Sequence, residues 1–368
     1  MNLASRALRQ ALFVAALVSG LAAGAAFAAN SYAVRNLVSD GGVPAEHRDD
    51  NLKNGWGIAL SATSPIWVAD NGTGKSTLYD GLGNMLSLVV TVPSASGSDP
   101  GAPTGIVFNG SNDFVVRSGT AAGAARFIFA AEDGLISGWS PGVDATHAIH
   151  AVFMSSAVYK GLTLTSNGGV NMLYAADFHG HKIDVFGPNF TPRKMPGAFV
   201  DPNIPANFSP FNILSLGGRL YVAYAQKEEN GDDEVAGPGL GIVDAFDTSG
   251  HLLQRVATGG TLNAPWGMAI APANFGDFSG SLLVGNFGDG TINAFNPTSG
   301  AFLGQLRTPD GQILVIDGLW GIAFGNGSTA QNLPSNTLFF AAGPNNNVNG
   351  LFGLIEPVDS DGDGDGGR

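Results

Sequence analysis

The sequence predicts an all-β protein, a six-bladed β-propeller with four-stranded blades whose last blade is closed by an N-terminal strand. Three observations carry that expectation. After the first thirty residues no helical periodicity is sustained; short apolar runs alternate with clusters of Gly, Asn, Asp and Pro. Glycine supplies 54 of 368 residues, roughly twice the usual share of about 7%. One phrase also recurs six times along the chain, the signature of a repeat architecture.

The phrase is clearest in Trp56-Gly57-Ile58-Ala59, Trp266-Gly267-Met268-Ala269 and Trp320-Gly321-Ile322-Ala323. Weaker copies centre on Gly105, Gly161 and Asn212, so the six positions fall roughly fifty residues apart. Each copy is followed by a second run, such as Ile66-Trp67-Val68-Ala69-Asp70 or Leu282-Leu283-Val284-Gly285-Asn286. Third and fourth runs follow, as in Thr291-Ile292-Asn293-Ala294-Phe295 and Phe302-Leu303-Gly304-Gln305-Leu306. Four strands per repeat make a propeller blade. The last blade has no fourth strand after Leu351–Ile355, whereas an orphan strand, residues 32–38, precedes the first. An open blade would leave an unpaired edge, so the orphan is expected to complete the ring.

The ends read differently. Arg6 and Arg9 precede an apolar run from Ala11 to Ala23, and Ala26-Phe27-Ala28 has the shape of a signal-peptidase site. The expected organisation is a signal peptide at 1–29, the propeller at 30–357 and an acidic Asp/Gly tail at 358–368. The protein is then expected outside the cytoplasm, in the periplasm, the medium or on the surface of a bacterium, with no membrane span left after cleavage. The tail mimics a calcium loop at Asp359, Asp361, Asp363 and Gly364, but lacks the glutamate and helices of one.

Charge and composition exclude several functions. The formal net charge is −13, which argues against nucleic acid, a ligand that needs basic stripes. No cysteine is present, so disulfides, thiolate metal sites and thiol catalysis are out. Two motifs are decoys. Gly74-Lys75-Ser76 ends like a nucleotide-binding loop, but Ala69 replaces the first glycine and Thr77-Leu78-Tyr79 continues as strand, not helix. Gly138-Trp139-Ser140-Pro141-Gly142 matches a hydrolase elbow, yet Pro141 lacks the N–H an oxyanion hole would need.

In a propeller the second-strand tips converge round one mouth. Here they carry Asp70, Glu132, Asp133, Asp177 and Asn286. Asp70, Glu132, Asp177 and Asn286 offer oxygens to a hard cation such as Ca²⁺; the same residue types also cap turns. His179-Gly180-His181 lies beside them as a candidate base or a solvated loop. Trp56, Trp266 and Trp320 open inner strands near the mouth, where they suit either a stacked ligand or packing between blades.

The W-G-[IM]-A and V-[AG]-[DN] phrases resemble those of NHL and gluconolactonase-like six-bladed propellers. Over residues 32–356 the chain resembles more closely a set of uncharacterised secreted bacterial propellers, through Asn36-Leu37-Val38-Ser39-Asp40, Asn54-Gly55-Trp56-Gly57-Ile58-Ala59 and Ala264-Pro265-Trp266-Gly267. Some of these end in a PEP-CTERM sorting signal, which the Asp/Gly tail does not match. The resemblance implies a fold and a compartment. The expected function is a monomeric binding or scaffold propeller that needs no cofactor and takes a protein, glycan or small molecule at the mouth or rim, with Trp56, Asp133, Trp266 and Trp320 as contacts. The alternative implied by the gluconolactonase-like set is a Ca²⁺-dependent lactonase or esterase, with His179 or Asp177 as base.

Overall fold

The computed structural model describes residues 31–97 and 100–358. The expected signal peptide, and the calcium-like motif beginning at Asp359, lie outside the described residues. Six antiparallel sheets form the blades. Blade one comprises Gly55–Ala59, Ile66–Asp70, Lys75–Tyr79 and Val90–Thr91. Blade two comprises Pro103–Phe108, Phe127–Ala131, Leu135–Trp139 and Ile149–Phe153. Blade three comprises Tyr159–Asn167, Val170–Asp177, Lys182–Phe186 and Pro192–Arg193. Blade four comprises Phe208–Leu216, Arg219–Lys227, Gly241–Phe246 and Leu252–Thr258. Blade five comprises Pro265–Ile270, Leu282–Asn286, Ile292–Phe295 and Phe302–Gln305. Blade six comprises Leu319–Phe324, Leu338–Ala342 and Leu351–Pro357.

The N-terminal strand Tyr32–Ser39 completes blade six, antiparallel to Leu351–Pro357, with Tyr32 opposite Pro357 and Ser39 opposite Leu351. The ring is thus closed as the sequence predicts. Three additions were not legible. In blade four, Glu234–Val235 forms a short strand paired with Gln226 and Lys227 of the second strand. His47–Arg48 adds a short parallel strand to blade six. A hairpin of Val115–Ser118 and Ala121–Ala124 is inserted between the first two strands of blade two.

The core occupies six wedges, one between each pair of neighbouring blades. Each sheet is therefore covered on both faces. That explains why second strands such as Phe127–Ala131 and Leu338–Ala342 are buried at every position, and read as continuous apolar runs instead of alternating ones.

The glycine of the repeated phrase marks where inner strands crowd the axis. A Cβ on Gly57 would lie 2.6 Å from the Thr104 carbonyl oxygen, on Gly105 2.5 Å from Leu162 N, and on Gly267 2.4 Å from the Trp320 oxygen. On Gly321 it would lie 2.4 Å from the Trp56 oxygen, which carries the contact across the closure from blade six to blade one. At the fourth repeat Asn212 replaces glycine, and its side chain bridges to blade five by donating Nδ2–H to the Trp266 oxygen at 2.9 Å.

Gly321→Ala is expected to cost about 1–3 kcal/mol through overpacking against backbone. Gly142→Ala, where an added Cβ meets nothing within 4 Å, should change stability by less than about 0.5 kcal/mol. Urea unfolding of the two variants checks the contrast.

Candidate functional site

The residue before each repeat glycine stands at one end of the inner strand, at the channel mouth. In six blades these are Trp56, Thr104, Lys160, Phe211, Trp266 and Trp320. Four of them form an aromatic plug with Phe178 and Phe287. Trp56 stacks on Trp320 with ring centroids 3.5 Å apart, and Trp266 meets both edge-on at 6.0 and 5.8 Å. Phe287 stacks on the other side of Trp320 at 4.0 Å. Trp320 is fully buried, and Trp56 and Trp266 nearly so. The three tryptophans do converge at the mouth, but they stack on one another and offer no free face to a ligand. Below them the axial space is about 30 Å³, room for a water or two.

Above Trp56 lies the one inner-strand cation. Lys160 is 2% exposed. Its ammonium stands 5.3 Å from the centroid of Trp56 and 6.0 Å from that of Phe178. It donates to Glu132 Oε1 at 2.6 Å and approaches Asp233 Oδ1 at 3.4 Å. Burial alone would lower its pKa; Glu132, Glu234 and Asp233 outweigh that and raise it above the ordinary value. Glu234 completes the cluster. It stands in a crowded surround whose desolvation pushes its carboxyl up to about 7, against the opposing pull of Lys160.

These groups belong to a polar chain that runs round the mouth. Trp320 Nε1–H donates to Asn54 Oδ1 at 3.1 Å, Asn54 Nδ2–H to Asn71 Oδ1 at 3.2 Å, and Asn71 Nδ2–H to Glu132 Oε2 at 3.0 Å. Glu132 then holds Lys160, and Lys160 reaches Asp233. The chain links blades six, one, two, three and four. Asp233 and Glu234 belong to an acidic loop, residues 228–240, between the second and third strands of blade four. His179 Nδ1 lies 2.8 Å from Asp232 Oδ1 and Lys227 Nζ 3.1 Å from the same atom. These two hold the Asp232 carboxyl below its usual range although partial burial pushes the other way. The loop is thus moored to blade three by Lys160 and His179, and to its own blade by Lys227.

The other expected site residues lie apart. Asp70 is fully buried on the face that blade one turns to blade six. Burial raises its pKa well above the carboxylate range; Thr77 opposes that and the Asp49 charge adds to it. Asp177 Oδ1 accepts from Val158 N at 3.2 Å and Gly180 N at 2.9 Å, a turn cap under a glycine whose Cβ would clash with it. Asn286 donates to the Thr261 oxygen, Asp289 and Thr291 and accepts from Asn263 N. Glu132 is shared between Asn71 and Lys160. Asp177 and Asn286 are thus engaged within their own blades, Glu132 bridges blades one and three, and both Asp70 carboxylate oxygens are buried without a hydrogen-bond partner; among the described residues no three acidic or imidazole groups converge as an ion site. Asp133 is exposed and accepts from Ala95 N at 2.6 Å and Leu135 N at 3.2 Å. His181 takes a left-handed backbone, φ 53°, and approaches the Phe208 oxygen, so it diverges from His179.

Both decoy motifs lie in turns between strands. Thr73 N and Gly74 N donate to the Asp70 oxygen, and Lys75 opens the third strand of blade one. Val143 N and Asp144 N donate to the Ser140 oxygen after Trp139 ends its strand.

Known proteins place the chain. It is 34% identical over 337 residues to uncharacterized protein L690 of Acanthamoeba polyphaga mimivirus, covering 88% of this chain and 86% of that one. Uncharacterized protein R648 of the same virus is also 34% identical, over 89% of this chain and 81% of its own. The chain belongs to the family of these two viral proteins. No protein-family model matches it. Among solved structures, virginiamycin B lyase from Staphylococcus aureus superimposes with a TM-score of 0.51 at 13% identity, over 89% of this chain and 100% of that one. The PQQ-bound aldose sugar dehydrogenase of Streptomyces coelicolor gives 0.50 at 14%, with the same coverage. At such identities these share the propeller fold alone. The relatives shown are viral, and the likeness to secreted bacterial propellers stays with the proposal below.

Two variants probe the mouth. Lys160→Met is expected to cost about 3 kcal/mol at neutral pH, the low end for breaking a buried pair because Glu132 reaches solvent; denaturant unfolding measures it. Glu234 titrates near 4.5 when unfolded and near 7 when folded. Between those values the folded state holds the extra proton, so its contribution to stability falls as pH rises. Glu234→Gln removes that loss, and its melting temperature should gain on wild type progressively from about pH 5 to pH 8.

Proposed function

We propose that the protein is an exported binding propeller whose mouth takes cationic groups, the lysine and arginine side chains of a partner. One observation carries this reading: three carboxylates, Glu132, Asp233 and Glu234, gather round one buried ammonium above an aromatic floor. The site holds three carboxylates against its one lysine; burial drives the Glu234 carboxyl up to about 7, and Asp233 and Glu132 add to that rise. The acid extends outward to the exposed Glu228, Glu229 and Asp133. A net charge of −13 draws cations from a distance. Lys160 itself, seated against Trp56 and Glu132, is the internal example of the group the mouth favours.

This reading is preferred to the Ca²⁺-dependent lactonase because, among the described residues, Asp70, Glu132, Asp177 and Asn286 do not gather as one group of ligands. The export signal read in the first thirty residues supports a role outside the cytoplasm.

Calorimetric titration with tetralysine tests it. Binding is expected at low salt and should weaken steeply as salt rises. A variant with Glu228→Gln, Glu229→Gln and Asp233→Asn should lose about fivefold or more in affinity, since each rim charge contributes a fraction of a kcal/mol to about 1. Equal binding of tetraglutamate, or an unaltered variant, would refute the proposal. Calcium and EDTA are each expected to leave the melting temperature unchanged. A calcium-dependent rise abolished by Asp177→Ala would favour the hydrolase instead.

A further inference from the structure

Blades one and three both have a fourth strand of two residues, but Val90–Thr91 of blade one pairs with the start of its third strand, whereas Pro192–Arg193 of blade three pairs with Val185 and Phe186 at the far end of its third strand. The mouth-side half of that third strand, Lys182 to Asp184, has no outer partner strand. The chain instead swings away through residues 194–200, and a cavity of about 450 Å³ opens between this detour and the bare edge. That volume lies within the usual range of small-molecule sites.

The walls are apolar. Ile183 forms the floor, Met195, Pro196 and Phe199 the detour side, and Met154 the blade-two end. Two of the chain's six methionines thus face one cavity, and methionine adapts its shape to flexible apolar ligands. At the rim stand Arg193 and Lys194, both exposed and without an ion pair among the described residues. The Arg193 guanidinium lies against Gly187, where a Cβ would come within 2.7 Å of Nε, so a bare backbone leaves room for it at the end of the cavity. Lys182 lies at the other end but is paired with Asp184 at 2.5 Å. Arg193 and Lys194 are adjacent in the chain and both line this cavity.

We propose that this cavity is a second binding site, separate from the mouth, for a small anionic amphiphile: a molecule with an apolar body and a carboxylate head. The body replaces the missing half-strand against Ile183, Met195 and Phe199. The head lies between Arg193 and Lys194, with the guanidinium presenting a bidentate fork to the carboxylate. Burial of the body supplies most of the affinity, and the cations fix orientation and sign.

Sodium decanoate is the probe, titrated into the full mature chain by calorimetry, with decyltrimethylammonium as the control of opposite head charge. Decanoate should bind one per chain, and the cationic amphiphile at least about tenfold more weakly at this site, the ratio expected for one charge-assisted contact. Arg193→Gln with Lys194→Gln should weaken decanoate about tenfold or more while leaving the melting temperature of the free protein unchanged, since both side chains are exposed. The same double variant should bind tetralysine as wild type does, which separates this site from the mouth. Absent decanoate binding, equal affinity for both head groups, or an unaltered double variant would overturn the proposal.

Discussion

The structure depends on how closely the inner strands approach one another around the axis. At four of six repeats a glycine meets the backbone of the next blade at a distance no Cβ tolerates, and at a fifth, Gly161, it meets the Asn212 side chain as closely. Everything else is set by that crowding. It leaves about 30 Å³ along the axis, too little to serve as a ligand channel. It also brings the residue before each glycine within reach of its counterparts, which makes three tryptophans, a phenylalanine and a lysine one contiguous mouth. The chemistry of the mouth is thus a by-product of a packing rule.

Lysine among the aromatics gives the mouth its polarity. A cation buried at that depth requires counter-charge, and the fold supplies it from two directions: Glu132 on the neighbouring blade and the acidic loop of blade four. Counter-charge on this scale overshoots. Burial gives Glu234 its raised pKa, with a smaller push from Asp233 and Glu132, and the exposed acids leave the rim negative. Blade three shows the converse at its outer edge, where a shortened strand leaves apolar surface and unpaired basic groups. The molecule therefore carries two charged clusters of opposite sign, the acids round Lys160 and the Arg193–Lys194 pair, both traceable to local departures from the repeat.

Much of this was legible in the sequence. The W-G-x-A phrase gave the blade count because its glycine is required by backbone contact, and the orphan strand at 32–38 gave the closure because sheet edges need partners. The mouth was legible only in part. Glu132, read at a second-strand tip, does join the polar chain round the mouth, but Asp70 and Asp177 were not separable from it, since a turn cap and a ligand use the same residue types. Lys160 was missed although the signal was present: it fills the tryptophan position in the third repeat, so the aligned repeats alone set a cation among indoles. Glu234 was not legible, because it lies in a short added strand with no repeat equivalent and two of the charges acting on it, Lys160 and Glu132, come from other blades. The cavity on blade three was hidden for a similar reason, since a strand's failure to continue leaves no mark in local propensity.

The closure of blade six has a kinetic side. Tyr32 pairs with Pro357, so the first described strand and the last belong to one sheet. Contacts of such separation in sequence carry the largest loop-closure cost and form late. As the chain is synthesised, five blades can order locally while Tyr32–Ser39 has only the short His47–Arg48 strand beside it. The ring can lock only when residues 351–357 arrive, and a chain halted before them keeps an open edge. Ring closure therefore links the stability of the whole ring to its last described strand.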